Sequence, residues 1–352
     1  MIYFFPHCDI KTYHWGAVLR SEYGVGVHEL KSHPFFHWFE VLRFSIKKRS
    51  RPVFVFRYLG DYPDSFRSAL RLLSDLLCIV VCFSLGGHVR WIVHNVDRET
   101  YMYHPGMLSF RRKIIGWASK KVYVTDQFLL PLAFSTLQSG RGKLGVVTFG
   151  AEESIASPDF SERISEVLKD FIWVRQQKPL IGLCASAVAD KCHHFFMVEA
   201  VLDALNAESL QVVMVVVCNT RVLRSRHFIQ LFSRLGERED VILFPEGGAV
   251  YENRLKGKID FIYRSLSDQS VPYTLYNAAA SRIPVLTHDV GLTATIVRNC
   301  GIGVVWEDLH SKSRFDLESA LGVCEDRRFE EFLSARTWQN GAAALVEGLK
   351  HE

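Results

Sequence analysis

No CxxC pair occurs in the chain, although it holds eight cysteines: Cys8, Cys78, Cys82, Cys184, Cys192, Cys218, Cys300 and Cys324. Without that ligand spacing neither a structural zinc site nor any other metal site is expected. Thiols set mostly within apolar runs fit a reducing compartment, the cytoplasm. Charge of one sign is also scarce. The net charge is only +4, too little to mark a nucleic-acid binder. Long apolar runs are missing too. The opening MIYFFPHCDI has no basic segment followed by a long apolar stretch, so it reads as a first strand rather than a signal peptide. The one candidate span, Leu70 to Leu85, carries Arg71 and Asp75 and is only about sixteen residues long, short of a membrane crossing. It reads as a buried core helix. No repeat period, low-complexity tract or DxD metal motif stands out.

What is present is apolar and aromatic. Hydrophobic residues make up 48% of the 352, with 25 Phe, 12 Tyr and 7 Trp, enough for two cores. Strands and helices alternate. Ile2 to Phe5, Val53 to Tyr58, Val89 to His94 and Lys121 to Thr125 read as strands, with helices at Thr12 to Glu22, Phe35 to Lys47, Ser65 to Leu85 and Leu108 to Lys120. The same grammar resumes after Pro179, and the unbroken run QVVMVVVC, Gln211 to Cys218, suits a central strand buried on both faces. Such alternation implies an α/β chain of two Rossmann-like domains with parallel sheets, facing a cleft. We place the first domain at 1–155, a linker at 156–178, the second domain at 179–335 and a terminal helix at 336–352 that packs back across the domains.

Three segments carry candidate chemistry. In DFIYRSLSDQSVPYTLYNAAASRIPVLTHDVG, Asp260 to Gly291, a strand feeds a polar loop and then a helix predicted over Val271 to Ala280, with Ser270 as its N-cap. Unpaired N–H groups at such a helix start, Val271 included, and the helix dipole suit a diphosphate. Asp268 lies beside it to accept hydrogen bonds from sugar hydroxyls, and Tyr276 follows inside the helix, within reach of a ribose or simply packed in the core. In IGLCASAVADK, Ile181 to Lys191, a strand runs into a loop carrying Ser186 and Lys191. In RWIVHNVDRET, Arg90 to Thr100, His94 and Asn95 end a strand, with Asp97 and Glu99 on the loop beyond. His94, Asp97 and Glu99 are the candidate groups for taking a proton from an attacking hydroxyl. His94 tied into a strand-end turn is the plainer alternative.

These segments, in this order, resemble those of GT-B glycosyltransferases, particularly the bacterial surface-polysaccharide enzymes of the large retaining group. Aligned on the small-residue helix and on Ser281-Arg282-Ile283-Pro284-Val285, Asp268 and Tyr276 stand where that group carries two glutamates. Asp289-Val290-Gly291 matches its turn, Lys191 its diphosphate-binding lysine, and Ser186 the position of its arginine. The His94-Asn95 pair resembles the end of its W-T-V-H-N segment. Val241 to Asp260 resembles the strand and loop under the nucleotide base, with Glu246, Gly247 and Gly248 lining the pocket, or forming a plain β-turn. The resemblance implies transfer of a sugar from a nucleotide-diphosphate donor to a saccharide or polyprenyl-diphosphate-linked acceptor, with no metal and no cofactor. It leaves open a sugar-nucleotide 2-epimerase of the same fold, or a non-catalytic transferase-like subunit. Basic residues Lys47, Lys48, Arg49 and Arg51, and Arg111, Arg112, Lys113, Lys120 and Lys121 among aromatics, suit an anionic membrane surface. A peripheral place on the inner face of the plasma membrane follows as an expectation, with a solvated helix face as the alternative.

Overall fold

The computed structural model describes residues 1–352 except 7–8, 100–101, 138–140, 152–159, 175–178, 187–192, 208–211, 221–225, 249, 251, 308–315 and 349–352. Lys191 lies outside the described residues. The chain divides into two compact units. The first comprises Met1–Gly150, Asp268–Val271 and Arg336–Glu352; the second comprises Ala151–Ser267 and Pro272–Ala335.

The first unit is built on β1 (Ile2–Phe5), β2 (Val27–His28), β3 (Val53–Phe56), β4 (His88–Val93), β5 (Ser119–Val124) and β6 (Leu144–Val146). All pair in parallel, in the order β2-β1-β3-β4-β5-β6. β1 and β3 are buried at every residue, which is why IYFF and VFVF lack alternation. Between the strands run α1 (Ile10–Ser21), α2 (His37–Lys48), α3 (Ser65–Ser84), α4 (Pro105–Ala118) and α5 (Leu130–Thr136). Pro105 opens α4, where its missing N–H is harmless, so the helix starts three residues before the predicted Leu108. α3 is not wholly a core helix. Cys78, Ile79 and Cys82 face inward, while Phe66, Leu73, Val80 and Phe83 are exposed. No helix among the described residues is long and apolar enough to cross a membrane.

The basic cluster of α4 is divided by packing. Arg111 is buried, ion-paired with Asp75 of α3 and donating to Leu59 O, so it adds no charge to the surface. Arg112 is turned to Glu99. Lys113, Lys120 and Trp117 remain exposed.

The second unit contains β7 (Leu180–Ser186), β8 (Val212–Cys218), β9 (Val241–Phe244), β10 (Phe261–Tyr263), β11 (Val285–His288) and β12 (Gly303–Trp306), all parallel in the order β12-β11-β10-β7-β8-β9. Its helices are α6 (Phe160–Val174), α7 (Val198–Leu205), α8 (Arg226–Gly236), α9 (Thr274–Ser281), α10 (Gly291–Cys300), α11 (Leu317–Gly322) and α12 (Asp326–Ser334). β8 is buried at all seven residues, as its composition predicts, but it lies second from the edge, between β7 and β9, rather than at the centre of the sheet. Helix α10 occupies sequence that reads as a turn because Gly291 stands at its first position; Gly301, at φ +65°, ends it.

A last helix, α13 (Trp338–Val346), packs in the first unit. Arg336, just before it, forms a buried ion pair with Asp126 at 2.7 Å. Trp338 stacks on His14 at 4.7 Å. The C-terminal carbonyls of α13 are taken by buried Arg90, which donates to Glu347 O (2.7 Å) and Ala344 O (3.3 Å).

Candidate active site

In open parallel sheets, ligands collect at the carboxyl ends of strands where the strand order reverses direction. In the first sheet that point lies between β1 and β3. Asp9 follows β1, and Arg57 and Tyr58 follow β3. Asp9 has two jobs. One carboxylate oxygen accepts from Thr12 N (3.0 Å), capping α1, while Thr12 Oγ1 accepts from Asp9 N (2.7 Å). The other oxygen accepts from Arg57 Nη2 at 2.7 Å and Tyr58 Oη at 3.3 Å. Burial pushes the Asp9 carboxyl up, but the Arg57 charge and hydrogen bonds outweigh it and hold it at about 2. The guanidinium lies over the rings of Tyr58 and Trp15, and its Nε and Nη1 donate to no group among the described residues.

His94, at the end of β4, joins this cluster. Its ring stacks on Tyr58 at 4.3 Å and on Phe149 at 6.0 Å. Lys11 Nζ sits 4.5 Å from the Phe149 ring centre. Burial first, then the nearby Lys11 and Arg57 charges, hold the His94 imidazole well below its usual range, so it is neutral near pH 7. Its Nε2 has no hydrogen-bond partner among the described residues. Lys11 is likewise pulled down to about 8, by burial and then by Arg57, with Asp9 opposing. Strongly shifted groups gathered at a strand-order reversal make this the candidate site of the first unit. Sequence inspection passes over Asp9, Lys11 and Arg57 because they are spread across three segments. The only local signal is a charged residue one to six positions after each apolar strand.

The other first-unit candidates lie apart in role. Glu99 is buried, accepts from Leu59 N at 3.3 Å and pairs with Arg112 at 3.1 Å. Burial raises its carboxyl to about 7 against those partners. Its oxygens are therefore engaged in holding two loops together. Asp97 is exposed.

In the second sheet the order reverses between β7 and β10. Ser186 ends β7 there, and Arg264 follows β10. Arg264 Nη1 donates to Ala185 O at 3.0 Å and lies 3.5 Å from His194 Nε2, and its Nε has no partner among the described residues. This is a cation beside the position of Ser186, where the resemblance expects an arginine. Sequence alignment misses it because it arrives from the neighbouring strand. Glu246 pairs with Arg163 of α6. Gly247, at φ +62°, lies against Asn219, whose backbone N would sit 2.5 Å from any Cβ there. Gly248 packs on Phe160, so these two glycines serve backbone packing.

The loop 267–273 departs from expectation. Ser270 caps no helix: it bridges Asn95 in extended pairing and donates to Asp268 Oδ1 at 2.9 Å. Val96 N contacts Gln269 O at 3.5 Å. Asp268, Ser270 and Val271 thus pack with the first unit, beside His94-Asn95. The helix begins later, at Thr274, with Tyr273 as an N-cap whose side chain makes no capping bond. Ser270 pairs in extended form with Asn95, and the three residues after it, 271–273, precede the helix rather than forming its first turn. Tyr276 is fully buried, packed between Tyr273 at the end of this loop and Phe332. Among the described residues, no three His, Cys, Asp or Glu are gathered to hold a metal ion.

No family model matches the chain, and no curated protein matches it in sequence. Solved structures do match it in shape. A glycosyltransferase from Rickettsia africae is similar with a TM-score of 0.64 and 13% identity, over 99% of this chain and 97% of that one. The lipopolysaccharide outer core galactosyltransferase WaaB is similar at 0.58 and 11%, over 98% and 99%. A UDP-GlcNAc 2-epimerase from Methanocaldococcus jannaschii is similar at 0.53 and 12%, over 100% and 99%.

Proposed function

The chain has the fold of GT-B glycosyltransferases, and we propose that it is one: it moves a sugar from a nucleotide-diphosphate donor to a saccharide or polyprenyl-diphosphate-linked saccharide, in bacterial surface-polysaccharide synthesis. The carrying observation is the polar cluster at each strand-order reversal, Asp9, Lys11, Arg57 and His94 in one unit and Ser186 with Arg264 in the other. In this reading Arg264, with Lys191, neutralises the donor diphosphate without metal or cofactor. The acceptor hydroxyl oxygen bonds to the anomeric carbon as the bond from that carbon to the diphosphate breaks. His94, protonated at Nδ1, orients the hydroxyl by accepting its hydrogen bond at Nε2. An imidazole whose conjugate acid is this strong orients a hydroxyl better than it removes a proton, so the proton ends on the departing diphosphate.

Isothermal calorimetry with UDP and a radiolabelled transfer assay test this reading. Arg264→Gln should weaken UDP binding, and His94→Ala should lower turnover while leaving UDP affinity unchanged. Activity should survive EDTA. If neither substitution changes its readout, the site assignment is wrong. The fold shared with the 2-epimerase favours a second reading, isomerisation of the donor alone, which an acceptor-free assay for an epimeric sugar nucleotide separates from transfer.

We also assign the first unit a resting place on anionic lipid at the cytoplasmic face of the membrane. Exposed Phe66, Leu73, Val80, Phe110 and Trp117 on α3 and α4, with Lys113 and Lys120 beside them, support it.

A further inference from the structure

Tyr58 and His94, stacked at 4.3 Å, arrive on different loops, one after β3 and one after β4. The two strands pair only as far as Phe56 and Trp91, so both rings lie beyond that ladder. Side chains hold the loops instead. The peptide that joins Tyr58 to Leu59 donates its N–H to Glu99 Oε2 at 3.3 Å. The carbonyl of buried Leu59 accepts from Arg111 Nη1 at 2.6 Å, and Gly60 O accepts from the same nitrogen at 3.2 Å. Asp75 of α3 anchors Arg111. Farther along, the Asp61 carboxylate accepts from Tyr103 N at 2.8 Å and from His104 N at 2.6 Å.

Glu99 joins the two loops directly. It stands five residues after His94 in the sequence and is only 8% exposed. Its other oxygen accepts from Arg112 Nη1 at 3.1 Å, and Arg112 Nη2 donates to Val96 O at 2.8 Å. One carboxylate thus meets a donor from the loop after β3 and a donor from α4. A carboxylate offers these two only acceptors, whereas a protonated acid or an amide turns a donor of its own toward one of them. Burial raises the Glu99 carboxyl to about 7, with Arg112, the Leu59 N–H and Arg111 opposing. Asp97 adds a negative charge near Arg112. Around Tyr58 and His94 themselves stand Asp9, Arg57 and Lys11.

We propose that Glu99 is a positioning residue: its ionised carboxylate holds the Tyr58–Leu59 peptide and so seats the Tyr58 ring against His94, and protonation of that carboxylate slackens the stack. The effect on turnover rests on the transferase reading, through the hydroxyl that His94 orients. The clamp itself does not.

NMR of the full chain with isotope-labelled histidine, titrated from about pH 5 to 9, tests it. His94 stays neutral near pH 7, so its Hε1 resonance there reports its neighbours. That resonance should shift with a midpoint near 7 as the Tyr58 ring moves, apart from any response to Lys11 near 8. Glu99→Gln should abolish the midpoint near 7 and keep the one near 8. Arg112→Gln, which removes an opposite charge, should move the Glu99 midpoint upward. In a transfer assay, wild-type turnover should fall about tenfold as pH drops through 7, and Glu99→Gln should already be about tenfold slower at pH 8. UDP affinity should be unchanged, because misplacing a group near the reacting centre costs turnover rather than donor binding. No shift near 7 in the wild type, a midpoint that survives Glu99→Gln, or loss of UDP affinity alongside turnover would overturn the proposal. The two readings fail separately. A midpoint that Glu99→Gln removes, in a chain that transfers no sugar, sustains the clamp and removes its part in catalysis; transfer without that midpoint leaves the transferase and removes the clamp.

Discussion

Replacing Lys11 with methionine should make the protein more stable and less active, and the structure says by roughly how much. Lys11, ordinarily near 10.5, is held at about 8 by burial and by the Arg57 charge. A drop of that size corresponds to about 3 kcal/mol of unfavourable charging below pH 8. Removing the ammonium also forfeits its contact with the Phe149 ring, about 0.5–1 kcal/mol, and its attraction to Asp9. Because Lys11 keeps partial solvent contact, the net gain expected at pH 7 is about 1–2 kcal/mol, or about 2–8 °C in Tm for a unit of this size. The pH dependence has a definite sign. Below pH 8 lysine is protonated in both the folded and unfolded chains, so the penalty is complete there. Between 8 and 10.5 the folded protein sheds the proton first, the wild type gains stability as pH rises, and the advantage of the variant fades. Urea unfolding at pH 7 and near pH 10.5 measures this. The variant should also let the His94 imidazole rise toward its usual value, seen by NMR titration, and should lower turnover. A variant that is less stable at pH 7, or that keeps an equal advantage at high pH, would refute the reasoning.

Three further outcomes follow from other contacts. Arg336→Met leaves Asp126 buried without its cation and should cost about 3–5 kcal/mol in equilibrium unfolding, most of it recovered by adding Asp126→Leu. Asp9, held at about 2 in the folded chain against a usual value near 3.8, contributes its stability above pH 4 and loses it as pH falls toward 2; Asp9→Asn should flatten that acid limb of a stability–pH curve. Trp117→Glu should reduce flotation with anionic vesicles without changing UDP affinity, and equal flotation of variant and wild type would remove the lipid surface at α4.

Much of the framework was legible because strands buried on both faces leave runs such as IYFF, VFVF and VVMVVVC. His94 was legible as the residue closing such a run, at the end where parallel sheets gather ligands. The helix over 271–280 was misplaced by three residues because Ser270 satisfies the usual N-cap rule yet spends its backbone on Asn95, a partner far away in sequence. Tyr276 looked available for a ribose because a half-apolar phenol fits either a site or a core, and only α12, whose Phe332 meets it, decides between them. Arg111 looked like surface charge in a basic run until Asp75 of α3 took it inward.

The sequence by itself determined the alternation of strand and helix, and with it two parallel α/β units, because apolar period and turn residues are local properties. Tertiary structure alone decided which charges meet. Asp9, Lys11, Arg57 and His94 are drawn together only by the order in which strands pair, and Arg264 reaches the end of β7 only because β10 lies beside it. Burial then lowered His94 and Lys11, since a charge loses its water only when another part of the chain displaces it.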